Sequence, residues 1–514
     1  MRFLSLLLAT LVSAMLYGLS FPPAALRPLA WVALVPLLVA LRRASTGVAI
    51  FLAWLWTVLA AYAVGDWFPR AVSTYYQQPL AVGLGLFLGV STFMAAAEYM
   101  AFAICYRRLV ATSGAALPLV IAAAWVAAEF GRVQFLSGNP WALAGYSQVG
   151  MTPLVQIADV TGVYGVTFVL LAVNAALAEL WLARRSRGPE RSRAIAGLGS
   201  AVGVVAMVVG YGFARLAWPP GSPPDARTVP IAVVQGNLDL GAQWRPEFYG
   251  ENLEVYLRLT YQALREREST VVFWPESAMT FFLDEEPLYR KAIARIILPP
   301  GVQLVAGGPR AVRSSPPVYY NSAFLLSPDG AIVARYDKQR LLPFAEYFPL
   351  EGLDLLRRRF ARVREFTPGV ATPPLPTAAG TAGVMICNEA MFPQTSAARV
   401  RAGASYLVNL ANDTWVGDPK FAAIVFDTVT LRAVEQRRYL VRASTSGPSG
   451  IVDPLGRVTA VTRPDTRAVL TGMVVPAASR TVYCEVGDLF AALCTLTVVL
   501  ALLRRWIRGR LTRG

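Results

Sequence analysis

Apolar positions run almost unbroken through the first part of the chain, at residues 3–19, 24–41, 47–65, 79–105, 116–131, 154–183 and 194–217. Each run is near the roughly 20 residues that a helix needs to cross the hydrocarbon core of a bilayer, so the pattern predicts seven spans. Its character changes at about 226. From there to about 480, short strings rich in Val, Ile and Leu alternate with polar helical stretches and Pro/Gly turns, and a last apolar run at 487–503 predicts an eighth span. Strands are expected at Val229–Gln235, Thr270–Trp274, Val302–Gly307, Ser322–Leu326, Gly383–Ile386 and Tyr406–Asn409, with helices at Glu251–Glu268 and Lys420–Gln436. Apolar strings bounded by turns suit strands covered on both faces of a sheet, so this stretch reads as an α/β domain. The expected organisation is a seven-span region over 1–218, a Pro-rich linker at 219–224, a water-soluble domain over 226–480, and a final span with a basic tail over 486–514.

Composition agrees with that division. The 514 residues are 55% hydrophobic and 16% charged, and the mean hydropathy is +0.46. Soluble proteins lie nearer 45–50% apolar and about 25% charged, so the excess reads as a membrane protein carrying a soluble part. The formal charge of +16 suits a nucleic-acid binder at first sight. However, only Lys291, Lys338 and Lys420 of the 48 basic residues are Lys, and the arginines are placed unevenly. With the N-terminus inside, fifteen arginines fall in the inner loops and tail (Arg42–Arg43, Arg107–Arg108 and the cluster 184–193 among them), against Arg27, Arg70 and Arg132 outside. That asymmetry is the positive-inside signature. It accounts for much of the charge without nucleic acid and places the α/β domain on the extracytoplasmic side, the periplasm where there are two membranes. The first run also fits a signal peptide, with LVSA at 11–14 as a weak cleavage string.

Two features narrow the chemistry. The chain has no His, which removes imidazole-based triads, dyads and metal sites, and its four cysteines show no C-x-x-C spacing. Neither a metal nor a cofactor is therefore expected, and catalysis falls to carboxylates, Lys, Cys, Ser or Tyr. Three ionisable residues sit where predicted strands end: Glu276 after VVFWP, Lys338 in ARYDKQRLLPFAEYFP, and Cys387 after GVMI. Loops at strand C-termini build the pocket of most α/β domains. Taken singly, Glu276 also fits a helix-capping carboxylate, Lys338 a surface lysine, and Cys387 a small buried hydrophobe. A chain that writes Arg almost everywhere else gives Lys338 more weight, because a compact, neutralisable amine is what Arg does not offer. Together the three make a nucleophilic thiol, a carboxylate base standing in for His, and an ammonium to stabilise thiolate and oxyanion, which is acyl transfer through a thioester.

These strings resemble the nitrilase superfamily, whose triad is Glu-Lys-Cys: Glu276 in WPE, Lys338 in YDK-x-x-L-x-PF-x-E, Cys387 in IC-x-E. With the predicted topology, the whole chain is similar to the apolipoprotein N-acyltransferase family. Further strings carry the likeness, among them Gly138–Asn139–Pro140–Trp141, Gly145–Tyr146–Ser147–Gln148, Tyr320–Asn321–Ser322 and Asn412–Asp413–Thr414–Trp415. The resemblance implies an eight-span helical membrane bundle with an inserted αββα nitrilase-like domain. It implies transfer of an acyl chain from a membrane phospholipid, through Cys387, to the N-terminal amine of a diacylglyceryl-cysteine lipoprotein. By the same resemblance Glu346 and Glu389 are supporting active-site carboxylates, and Trp244 and Trp415 line the substrate entrance. Interfacial anchoring is the plainer reading of both tryptophans. Asn388, beside the nucleophile, stands where the family usually has Tyr, Ala345 replaces a usual Gly, and Pro419–Lys420–Phe421 departs from the usual string. Apolar loops near Phe281–Phe282, Phe344–Phe348 and Val416 are expected to face the membrane. A membrane-tethered amidase would need the same triad but one anchor. A transporter would line its path with ionisable residues, for which Glu98, Glu129, Asp159 and Glu179 are the intramembrane candidates.

Overall fold

The computed structural model describes residues 2–110, 114–135, 138–219, 227–238, 245–349, 352, 357 and 365–511. The chain divides into two compact units, one of Met1–Arg70, Pro79–Trp218 and Val486–Gly514, the other of Ala71–Gln78 and Pro219–Glu485.

Among the described residues of the first unit, six helices are long and apolar enough to cross a membrane: Thr46–Gly65, Leu80–Leu109, Leu117–Gln134, Val163–Leu182, Pro189–Ala217 and Leu489–Arg508. Phe3–Leu19 is a shorter apolar helix. The expected span at 24–41 does not form as one helix. It breaks into a 3-10 turn, Arg27–Trp31, and a nine-residue helix, Val35–Arg43, each with proline in its first turn. Proline lacks the N–H that a helix interior needs and so starts helices rather than continuing them. The run at 154–183 is likewise interrupted, by Gly162 at φ +63°, before the helix Val163–Leu182 begins. Among the described residues, six of the eight expected spans are thus long helices, and the runs at 3–19 and 24–41 are shorter apolar pieces.

Two of the buried acids in this unit have partners. Glu129 accepts from Trp125 Nε1 (3.2 Å), Ala144 N (2.8 Å) and Thr167 Oγ1 (2.8 Å). Asp159 accepts from Tyr211 (2.7 Å) and pairs with Arg215 (3.2 Å).

In the second unit the described strands are β1 (Val229–Gln235), β2 (Val271–Phe273), β3 (Gln303–Val312), β4 (Val318–Leu326), β5 (Ile332–Asp337), β6 (Leu375–Thr377), β7 (Gly380–Ile386), β8 (Tyr406–Ala411), β9 (Leu440–Ser444), β10 (Gly450–Val452), β11 (Val458–Val461) and β12 (Ala468–Val474). They form two six-stranded sheets, ordered β12-β1-β2-β3-β4-β5 and β11-β10-β9-β8-β7-β6. Strands β1, β2 and β3 run parallel in one sheet, and β7, β8 and β9 in the other. Alternation along β1 shows the layering. Ile231 and Val233 join Val384, Ile386, Val408 and Leu410 in a core between the sheets. Ala232 and Val234 point the other way, to a second core with Leu253, Tyr256, Ile293 and Ile297 from the helices Tyr249–Glu266 and Pro287–Ile297. Helices Pro393–Arg401 and Pro419–Gln436 belong to the β7–β9 half. This is an αββα sandwich, and it sets the C-terminal ends of both parallel runs where loops gather.

The six expected strands all form, and the rest lack a continuous apolar string. Strand β5 alternates between half-buried and exposed positions before its buried end, β11 is mostly exposed, and β9 carries Arg442, fully buried, in its middle. Phe281 departs from its expectation of facing the membrane. It is 2% exposed and packs on Tyr249 and Tyr289 in the helix-facing core.

Candidate active site

Glu276 follows β2 by three residues, Lys338 follows β5 directly, and Cys387 follows β7 directly. Three separate strands thus bring these side chains together. Close approach is allowed by Gly307 on β3: a Cβ there would lie 2.7 Å from both Glu276 Cα and Pro275 O. Cys387 has φ +51° and opens a 3-10 turn, Cys387–Met391. A left-handed conformation at a non-glycine residue costs of order 1–3 kcal/mol and persists where the surroundings enforce it. Here Asn409 Nδ2 donates to Cys387 O at 3.2 Å, and Arg442 in turn holds Asn409 Oδ1 and Asp413 Oδ2, the latter at 2.6 Å.

The charges form one buried array. Lys338 is 1% exposed. Its Nζ lies 2.8 Å from Glu346 Oε2 and 3.6 Å from Glu276 Oε1. Asn321, from β4, donates through Nδ2 to both carboxylates, at 2.7 Å to Glu276 and 2.8 Å to Glu346. Backbone N–H groups complete the set: Asn412 N to Glu276 Oε2 (2.9 Å) and Leu342 N to Glu346 Oε2 (2.8 Å). Glu276 and Lys338 both act electrostatically on the Cys387 thiol.

Electrostatics follow from this packing. Burial works against the Lys338 charge, but Glu346 and then Glu276 outweigh it and hold the ammonium above its ordinary range. Burial raises the Glu276 carboxyl, and Lys338 pulls it back. Burial also pushes the Cys387 thiol well up, Glu276 adds to this, and Lys338 opposes both. The resting arrangement is therefore a protonated thiol near the Glu276 carboxyl group and a fixed cation. It is a thiol rather than a free thiolate.

Glu389 lies on the other side of the Lys338 loop. Its Oε1 accepts from Tyr336 OH (2.9 Å), Gln339 N (2.8 Å) and Arg340 N (3.0 Å), and its Oε2 from Ile386 N (2.7 Å). These bonds tie the loop after β5 to the turn that carries Cys387. Asn388 is half-buried, and its Oδ1 is shielded without a hydrogen-bond partner. Trp415 is half-buried, its ring 5.9 Å from Phe421. Trp244 lies outside the described residues. Among the described residues, no group of three or more Cys, Asp or Glu is placed to hold a metal ion.

Asn321 and Asn412 lie in recognisable strings, but only the fold gives them their carboxylate partners. A polar Asn on a buried strand, at 8% exposure for Asn321, was the available signal, since buried polar groups require partners. The Arg442–Asp413–Asn409 network carried the same kind of signal.

The sequence pattern of the apolipoprotein N-acyltransferase N-terminal domain matches residues 13–176, and that of carbon-nitrogen hydrolase matches residues 230–482. The chain is 35% identical over 492 residues to an apolipoprotein N-acyltransferase of Geobacter metallireducens, covering 95% of this chain and 92% of that protein. It is 33% identical over 514 residues to that of Azotobacter vinelandii, covering 97% and 95%. Among solved structures, a carbon-nitrogen hydrolase from Helicobacter pylori G27 aligns with 48% of this chain and 89% of its own, at 17% identity and a TM-score of 0.38.

Proposed function

Because the chain belongs to the apolipoprotein N-acyltransferase family, we propose that it moves an acyl chain from a membrane phospholipid to the N-terminal amine of a diacylglyceryl-cysteine lipoprotein, through a thioester on Cys387. The observation that carries this reading is the array at the strand ends in which Cys387, held at positive φ, lies within electrostatic reach of Glu276 and Lys338, while Lys338 lies against Glu276 and Glu346. Six helices long and apolar enough to cross a membrane support a lipid-borne substrate over a small soluble amide.

In the first half-reaction Glu276 takes the thiol proton as sulfur attacks the ester carbonyl. The Lys338 ammonium, with the N–H of Asn388 as second donor, stabilises the oxyanion. Collapse breaks the C–O bond, and Glu276 returns the proton to the departing lysophospholipid. In the second half-reaction the lipoprotein amine attacks the thioester, Glu276 accepts the amine proton, and as the C–S bond breaks and the amide forms Glu276 passes that proton to the departing Cys387 sulfur. Glu346 keeps Lys338 charged and in place, and Glu389 is a positioning residue for the loop that bears Lys338. Working at the bilayer surface avoids extracting acyl chains, each buried CH₂ being worth about 0.8 kcal/mol. Excluding water favours the amine over hydrolysis of the thioester.

The test is mass spectrometry of a diacylglyceryl-cysteine peptide incubated with phospholipid and purified protein, wild type beside Cys387→Ala. One amide-linked acyl chain is gained with wild type only. A wild-type preparation that adds no chain but hydrolyses simple amides would replace this reading with a membrane-tethered amidase. Equal gain with both proteins would remove Cys387 from the centre of the reaction.

A further inference from the structure

The segment Ala71–Gln78 belongs by its packing to the α/β unit, although the rest of the chain before Pro79 does not. It is the C-terminal part of the helix Trp67–Tyr76 with the short turn that ends it. Ser73 Oγ donates to Gln78 O (2.6 Å), Gln78 N to Ser73 O (3.0 Å), and Gln77 sits at φ +54°. The rings of Tyr75 and Tyr76 stand perpendicular, 4.9 Å apart.

These two tyrosines reach two different loops. Tyr76 OH donates to the carbonyl of Phe344, 268 residues further on. Phe344 is the tip of a tight turn with φ +64°, closed by its own N–H on Tyr347 O at 2.8 Å. Glu346 lies in that turn, and its Oε2 is 2.8 Å from Lys338 Nζ. Tyr75 meets the ring of Trp415 edge-on at 6.1 Å. Trp415 follows Asn412, whose N–H donates to Glu276 Oε2. The end of one helix thus touches both the loop that holds Glu346 and the loop that follows Asn412.

We propose that Tyr76 is a positioning residue for the acyl-transfer site: by pinning the left-handed turn at Phe344 it sets Glu346 on Lys338, while Tyr75 braces the Trp415 loop beside Glu276. The inference rests on the triad of the proposed function but not on the identity of the acyl donor or acceptor. Physically, Phe344 has no glycine's freedom at positive φ, so an outside hydrogen bond on its carbonyl is well placed to hold that conformation. Releasing it lets the turn relax and slackens the 2.8 Å contact that keeps Lys338 beside the thiol.

The experiment uses the full-length protein in phospholipid nanodiscs and follows alkylation of Cys387 by iodoacetamide, read on its own peptide by mass spectrometry. This measures thiol activation whether or not any acyl transfer occurs. Tyr76→Phe is expected to slow Cys387 alkylation about fivefold or more, the scale of one lost positioning hydrogen bond. In a Glu346→Gln background the same change is expected to have less than about a twofold effect, because residues acting through one contact are not additive. Tyr261→Phe, on an exposed helix face, is the control and leaves the rate unchanged. In the transfer assay, Tyr76→Phe lowers kcat with KM for phospholipid held. No slowing in the wild-type background, equal slowing in both backgrounds, or a drop in thermal midpoint that accounts for the loss each overturns the proposal. Coupled alkylation effects in a protein that transfers no acyl chain would leave this inference standing and remove the proposed function.

Discussion

Lys338 is the residue on which the site turns, because a lone ammonium at 1% exposure could not stay charged without its two carboxylates. Removing one partner of a buried pair costs about 3–5 kcal/mol. Glu346→Ala is expected at the lower end of that range, since Glu276 remains, and differential scanning fluorimetry of the purified protein would read it as a lowered thermal midpoint. On the proposed mechanism, the pH profile of transfer carries the mark of Glu276. A base works only when deprotonated, and burial raises this carboxyl above its ordinary 4.5. Activity is therefore expected to fall, as pH is lowered, on an acid limb displaced above 4.5, measured by initial rates of peptide acylation. A limb at or below 4.5 would mean that the proton is taken by some other group.

At the scale of elements, the site depends on how closely strands and turns approach. Gly307→Ala puts a Cβ 2.7 Å from Glu276 Cα and from the carbonyl of Pro275, all rigid backbone. Overpacking of this kind costs about 1–3 kcal/mol, and the chain after β2 must shift. A fall in transfer rate larger than the fall in stability is expected, because the displaced atoms carry the base. Glu389 tests the opposite end of the array. It is fully buried and accepts from three backbone N–H groups and a tyrosine hydroxyl. Glu389→Gln turns an amide NH₂ toward some of those donors, at about 1–3 kcal/mol for an unmet buried group. Its signature is a reduced kcat with KM little changed, since the carboxylate is spent on the loop of Lys338 rather than turned to substrate.

For the whole molecule, the arginine asymmetry makes a prediction about sidedness. A single cysteine introduced at Arg187, on an otherwise cysteine-free background, is expected to resist a membrane-impermeant maleimide in cells whose outer barrier has been opened. One introduced at Val370, 76% exposed in the α/β unit, is expected to react. The reverse labelling would invert the proposed orientation. Sidedness belongs at this scale because no single helix determines it; the summed charge of the short loops does.

How much was legible follows from where each property resides. The membrane character, the α/β character of the segment after 226 and the six strongest strands are local properties, carried by runs of apolar side chains that must leave water wherever they fold. The candidate residues Glu276, Lys338 and Cys387 were visible for a related reason: ionisable groups at the ends of apolar strings are expensive unless used. The break in the run at 24–41 could have been suspected from Pro28 and Pro36 but hid beneath hydropathy. Strands such as β5, β11 and β12 stayed hidden because their partially exposed faces leave no continuous apolar string. Only the tertiary structure could give Asn321 its two carboxylates, Asn412 its N–H to the base, Glu389 to the Lys338 loop, and Tyr76 to the turn at Phe344. Each of those pairings joins residues 25 or more positions apart, and a hydrogen bond leaves no trace in sequence order until the fold has brought donor and acceptor together.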